Sequence, residues 1–337
     1  MSRTTAKIDI DATSIDALHH GAGVSGNTQM LRVQEVVLAD GTPGRVPFVS
    51  GNSIKHMVRD GAVRFALDAM GVEDGSLTKP VVNLLFAGGT LSKGGGSTDL
   101  SQARRLADLF PALSLCGYAA GNFMEGSKVR VDNLHLVCAE NAWRMPASAL
   151  ALPHSTQRAG AFRDEEFGTR HEPTRLPHVA RLLALEDRAR HEAEASAKSK
   201  RKEASAKAPD SAQMIYEFQT VKAGSRWWGG MHLEDLTPAE LVAFRAGLSH
   251  ACEGRHEDGG VVFRLGAKGS VGWGRVSMRF SGALRRVVDA PEYEASDAML
   301  PVVAGPHGAT DHPDLAGYVA GLRARREEIL AALSEVA

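Results

Sequence analysis

Gly44-Arg-Val-Pro-Phe-Val-Ser-Gly-Asn-Ser-Ile-Lys-His-Met-Val-Arg59 runs from a short extended segment into a helix. Val46, Phe48 and Val49 form the β-type run, and Ser50-Gly51-Asn52-Ser53 form the turn. Asn52 and Ser53 are both favoured N-cap residues, so the spacing predicts a helix opening at one of them. Ile54, Met57 or Val58, Gly61 and Phe65 recur at helical spacing and would face a core. Lys55 and Arg59, four apart with His56 beside them, fall on the other side. A helix N-terminus with free N–H groups and two cations one turn apart suits phosphate. The competing reading is an ordinary capped helix with a solvated basic face.

Outward from this stretch, Thr5–Ala12 alternates Ala6, Ile8 and Ile10 against Lys7, Asp9 and Asp11, as a strand with one solvated face does. His19-His20-Gly-Ala-Gly-Val-Ser-Gly-Asn27 reads as a glycine-rich surface loop without an acid, followed by a second extended run over Met30–Leu38 and a turn at Asp40-Gly41. Residues 88–98 are glycine-rich, but Lys93 precedes the glycines and Gly95 stands where a phosphate loop carries lysine, so nucleotide hydrolysis is excluded. Thr98 or Asp99 can cap a helix to about Phe110, and Val129, Val131 and Leu134 alternate as a strand after a turn over Asn122–Ser127.

From Trp143 the pattern changes. Prolines 146, 153, 173 and 177 punctuate a stretch carrying His154, Arg158, Arg163, Arg170, His171 and Arg175. Lys198–Lys207 holds five basic residues against one acid and almost no large apolar residue, so it cannot order by burial alone. Residues 146–212 therefore read as an insertion. Alternation resumes at Gln213–Ser225, and Thr237-Pro-Ala-Glu240 announces a helix with a capping box and proline at its first position. Val261–Phe280 carries Arg264, Lys268, Arg275 and Arg279 with no acid, threaded through Gly266, Gly269, Gly272 and Gly274. Trp273 in this run could stack on a base or belong to the core. His250, Cys252 and His256 match no standard zinc spacing and read as a polar loop. Pro313–Val336 closes the chain as one amphipathic helix with Leu315, Val319, Leu322, Ile329 and Leu333 on a stripe.

A chain of 337 residues can bury a sizeable core. Its net charge of −1 gives no overall bias toward polyanions, so a nucleic-acid surface must come from local segregation of charge. Three cysteines far apart (Cys116, Cys138, Cys252) describe a reducing compartment without a disulfide framework. Without a membrane-length apolar run or a secretory signal, the expectation is a soluble, cytoplasmic protein.

Three segments, in the same order, resemble one family. Pro47-x-x-x-Gly-Asn-Ser-Ile-Lys-x-x-x-Arg59 is similar to the first strand-to-helix junction of the repeat-associated (RAMP) superfamily of CRISPR proteins, with His56 where many relatives carry glycine. Leu115-Cys-Gly-Tyr-Ala119 followed by Gly126-Ser-Lys-Val-Arg-Val-Asp132 resembles a second segment of its backbone subunits, and Leu265-Gly-x-x-x-x-x-Gly-Trp-Gly-Arg-Val276 a third. The resemblance covers roughly 5–140 and 213–280, and its overall look is nearest to the backbone subunit of type IV complexes. It implies an α+β protein with an RRM-like (ferredoxin-like) palm over 1–145 and 213–290, a finger-like insertion at about 71–118, a thumb over 146–212 and a C-terminal extension over 291–337. It implies a non-catalytic protein, without cofactor or metal, that polymerises along a CRISPR guide RNA. Its partners would be that RNA, a target DNA or RNA paired to it, further copies of the chain, and large or small effector subunits, a processing ribonuclease or a helicase. The residues expected on RNA are His19, His20, Asn27, Asn52, Ser53, Lys55, His56, Arg59, Arg158, Arg163, Lys268, Ser270, Trp273 and Arg275. The alternative is a metal-independent guide-processing ribonuclease with His19 or His20 as acid or base.

Overall fold

The structure is a computed structural model and describes residues 3–38, 40–89, 100–120, 122–170, 214–287, 293–296 and 313–336, with 184 and 186. Most of the glycine tract, its Thr98/Asp99 cap and the larger part of the insertion lie outside these residues.

In chain order the strands are β1 (Arg3–Ser14), β2 (Gly21–Ser25), β3 (Thr28–Leu31), β4 (Val33–Val37), β5 (Pro43–Val49), β6 (Tyr118–Ala120), β7 (Phe123–Glu125) and β8 (Val129–Val131). They continue as β9 (Leu134–Leu136), β10 (Arg163–Arg170), β11 (Met214–Val221), β12 (Arg226–Leu236), β13 (Gly254–Arg255), β14 (Val261–Arg264), β15 (Arg275–Val287) and β16 (Tyr293–Ser296). The longer helices are α1 (Gly51–Met70), α2 (Leu100–Leu109), α3 (Pro111–Cys116), α4 (Pro238–Ala251), α5 (Pro313–Ala324) and α6 (Arg326–Val336). The chain is α+β, with predominantly antiparallel pairing.

Contacts divide it into two units, one of residues 1–20, 32–163 and 221–337 and a smaller one of 21–31 and 164–220. The larger unit is built on a ten-stranded sheet ordered β13-β14-β15-β1-β12-β9-β5-β4, with β8 also on β12 and β16 on β15. The alternation of β1 decides its place. Ala6, Ile8, Ile10 and Ala12 are at most 3 % exposed, and the strand lies between β12 and β15, antiparallel to both. Helices α1 and α4 then cross at a glycine pair: a Cβ on Gly61 would lie 2.2 Å from the Gly247 carbonyl oxygen. Only two glycines let the helix backbones come that close. Beyond α1, Val63, Ala66 and Met70 pack with Leu84, Leu106, Leu113, Leu322, Ile329 and Leu333 in one apolar cluster. In the smaller unit the sheet order is β10-β11-β3-β2, and Phe218 is its buried ring.

Several boundaries differ from the sequence reading. The N-cap of α1 is Ser50, whose side chain accepts the Asn52 N–H, so the helix opens before Asn52 and Ser53 rather than at them. The glycine-rich segment after His20 is a hairpin, β2–β3, not a loop. Met30–Leu38 is two strands broken at Arg32, because β3 and β4 pair in different sheets. Within the second motif, Leu115 and Cys116 end the helix Pro111–Cys116, and Tyr118–Ala120 is a strand. The C-terminal helix is two helices, although its stripe of Leu315, Leu322, Ile329 and Leu333 is buried as the period requires. The Thr237–Glu240 capping box forms as read, the Thr237 N–H donating to Glu240 Oε2 at 2.8 Å.

Candidate nucleic-acid interface

Segments far apart in sequence meet at the tandem histidines. His19 bridges Ala267, whose N–H donates to the His19 carbonyl at 2.9 Å. His20 accepts the Ser50 N–H on Nε2 at 3.2 Å and meets the Phe48 ring edge-on at 6.3 Å. Two adjacent residues thus tie the loop before β15 to the start of α1. Gly266 has φ of 75°, and a Cβ there would lie 2.4 Å from the His19 carbonyl oxygen, so glycine is required twice over. Accepting the Ser50 N–H needs His20 Nε2 unprotonated. Burial, followed by the charges of Arg32 and His19, pushes its pKa down to about 4. His19 and His20 are only 3 % and 8 % exposed. They are structural neighbours of the site, not the surface residues the glycine-rich context suggested.

The acid-free run Val261–Phe280 is neutralised from elsewhere. Arg264 binds Glu253 at 2.7 and 2.8 Å and donates to the Trp273 carbonyl at 2.9 Å. Arg275 forks onto Asp16 at 2.8 and 2.9 Å, which holds the Asp16 carboxyl below its usual range. Arg279 binds Asp11 at 2.5 Å. Lys268, in the left-handed region at φ 69°, and Ser270 are exposed at the tip, while Trp273 is half-buried.

Along α1, Asn52, Lys55, His56 and Arg59 line a groove of about 490 Å³ completed by Val82, Asn83, Phe86 and Ala87. The first-turn N–H groups are not free for an anion. Gly51 N–H donates to Asn133 Oδ1 at 3.0 Å, Asn52 N–H to Ser50 Oγ at 3.3 Å and Ser53 N–H to the Ser50 carbonyl at 2.9 Å. Any grip on phosphate falls to the side chains. Arg59 is not on a solvated face: it is 9 % exposed, and Nη2 donates to the Cys116 and Gly117 carbonyls at 2.8 and 2.6 Å. Its Nη1 is buried without a partner. Burial lowers the pKa of Lys55 and of Arg59. Asn52 and His56 are exposed, Ser53 and Lys55 half-buried.

The remaining expected residues lie in other settings. Arg158 pairs with the buried Glu140 at 2.9 Å, and Arg163 donates to the Arg45 carbonyl at 2.5 Å. Asn27 is the exposed turn residue of the β2–β3 hairpin, in the smaller unit, and its carbonyl accepts the Glu217 N–H at 3.1 Å. The sequence reading left Asp11 on a solvated face and passed over Asp16 and Glu253, the acids that fix the arginines, because nothing local pairs them. It also passed over β12, whose alternating burial at Trp227, Gly229, Met231 and Leu233 was available as a period-two signal.

An α+β fold of this kind is shared with a chain of a solved complex. No family model matches the sequence, and no curated protein matches it. The structure superposes on a chain of a Type IV-B CRISPR complex with a TM-score of 0.53 and 19 % identity, covering 85 % of this chain and 95 % of that one. A crystal structure of Thermofilum pendens Csc2 aligns with a TM-score of 0.35 and 13 % identity over 99 % of this chain and 81 % of that one.

Proposed function

We propose that this chain is a non-catalytic backbone subunit that binds a CRISPR guide RNA and polymerises along it, as a member of the RAMP superfamily nearest to type IV. The observation that carries the reading is the likeness in fold to a chain of the Type IV-B CRISPR complex over 85 % of this chain. The strand order β15-β1-β12-β8/β9, with α1 and α4 as its two crossovers, supports reading the larger unit as an RRM-like palm. Residues 71–118 would be its finger, 146–212 its thumb and 291–337 its C-terminal extension. Lys55, Asn52 and His56 hold guide phosphates along the α1 groove, with Lys268 and Ser270 reaching from the neighbouring loop. Arg59 and Arg275 act by fixing that surface, through the 116–117 carbonyls and through Asp16. Target recognition comes from base pairing, the protein holding the guide by backbone and shape. Other effector subunits complete the particle.

No observation favours the ribonuclease alternative. A general base works best with a pKa near the operating pH, and His20 is buried with a pKa of about 4. The test is co-expression with a CRISPR array, followed by the 260/280 nm absorbance ratio and sizing of extracted RNA. Discrete guide-length RNA in a multi-subunit particle is expected. A nucleic-acid-free monomer that also ignores added guide RNA overturns the reading, as does repeat cleavage that disappears in a His19→Ala/His20→Ala variant.

A further inference from the structure

Trp143 is 65 % exposed, whereas Trp227 is 1 % exposed in the core. One face of its indole is covered by the Arg144 guanidinium, 4.9 Å from the ring centroid. Both residues end a short 3-10 helix, Ala139–Arg144. Three residues per turn put Glu140 and Trp143 on the same side, one turn apart. Glu140 is buried, accepts the Ala159 N–H at 2.8 Å and holds Arg158 at 2.9 Å, with 68 % of the Arg158 side chain exposed. Arg163 reaches the Arg45 carbonyl and is influenced by both the Arg45 and the Glu140 charges. Arg45 is exposed and makes no ion pair among the described residues, and Arg144 faces His135 at 3.3 Å rather than a carboxylate. Arg144 therefore covers one face of an open indole, while Arg158 and Arg163 lie by Glu140, one 3-10 turn before Trp143, with Asp40 beside Arg158 and Glu35 opposite Arg45 in the β4–β5 register. Nε of Arg144 and Nε of Arg163 are buried without hydrogen-bond partners.

We propose that Trp143 is a stacking platform for an unpaired base of single-stranded nucleic acid, with Arg144 and Arg158 supplying charge for the flanking phosphates. The inference rests on the reading of the chain as a guide-RNA binder and adds a second contact surface to it. An aromatic plane with one face taken by a guanidinium offers the other to a base, and Arg158, held by Glu140 one 3-10 turn away, exposes its side chain to a flanking phosphate.

The test measures binding of labelled single-stranded guide RNA, and of a complementary strand to the preformed guide complex, for the full chain carrying Trp143→Phe, Trp143→Leu or Trp143→Ala. Phenylalanine should bind within about 3-fold of wild type, and leucine and alanine from about 5- to about 150-fold more weakly, the range of one base–aromatic stack. A loss seen with guide RNA alone assigns the base to the guide; a loss seen only with the complementary strand assigns it to the target. Leucine or alanine binding like wild type overturns the platform while leaving the guide-binding reading intact. If wild type binds no single-stranded nucleic acid, both fall.

Discussion

Arg59 illustrates how one side chain can look like a ligand and act as a brace. Its guanidinium spans the carbonyls of Cys116 and Gly117, two buried acceptors at the end of α3 that no backbone N–H reaches within that helix. Arg59→Ala should lower stability by about 1–3 kcal/mol, the cost of stranding buried acceptors, in urea unfolding; Arg59→Lys, with one ammonium for two carbonyls, should recover only part. His20 makes a pH prediction. Its folded pKa of about 4 lies below the ordinary 6.5, so between those values the unfolded chain takes up a proton the folded one refuses. Stability is complete above about pH 6.5 and falls as pH drops toward 4. His135, pushed down to about 4 by burial and then by Arg144, adds to the same window. His20→Gln, which can still accept the Ser50 N–H, should flatten the slope between pH 6.5 and 4.5 in urea titrations but not abolish it. An unchanged slope would show that His20 titrates normally. Neither role was visible in the sequence, where Lys55 and Arg59 look alike at a four-residue spacing, and only the 116–117 carbonyls distinguish the buried brace from the half-buried cation.

Among the elements, α1 and α4 depend on their glycine crossing. Gly61→Ala would drive a methyl to within 2.2 Å of a backbone oxygen, so the helices must separate. A loss of more than about 2 kcal/mol is expected, as for overpacked cores. Gly317, within α5, has no atom within 4 Å of the corresponding position, and Gly317→Ala should instead stabilise by about 0.4–1 kcal/mol through helix propensity and unfolded-state entropy. Thermal unfolding of the two variants, moving in opposite directions, checks the crossing. Element type was legible wherever period and caps agreed: β1 from Ala6, Ile8, Ile10 and Ala12, α4 from its Thr237–Glu240 box, α1 from Ile54, Val58 and Phe65. It was not legible where partners decide. The break at Arg32 exists because two sheets compete for one extended run, and the basic run 261–280 is quenched by Asp11, Asp16 and Glu253, the first two about 260 residues upstream of the arginines they hold.

For the whole molecule, a net charge of −1 means that the RNA binding proposed above would have to come from a few local cations. Binding of a single strand should weaken with salt by about 0.7 in log K per phosphate neutralised for each decade. Lys55→Ala should reduce that slope by about 0.7 as well as lowering affinity, in anisotropy titrations across salt; a lower affinity with the slope retained would place Lys55 off the phosphates. The sheet also sets a timetable for biosynthesis. β1 has as its two neighbours β12 and β15, and the latter begins at residue 275, about 260 residues after β1 ends at Ser14. At roughly 5–20 residues per second, the nascent first strand waits on the order of 13–50 s for its last neighbour. Until then its apolar face of Ala6, Ile8 and Ile10 has no finished sheet to lie in. Co-translational escort, or an early encounter with β12, becomes a requirement of making this chain.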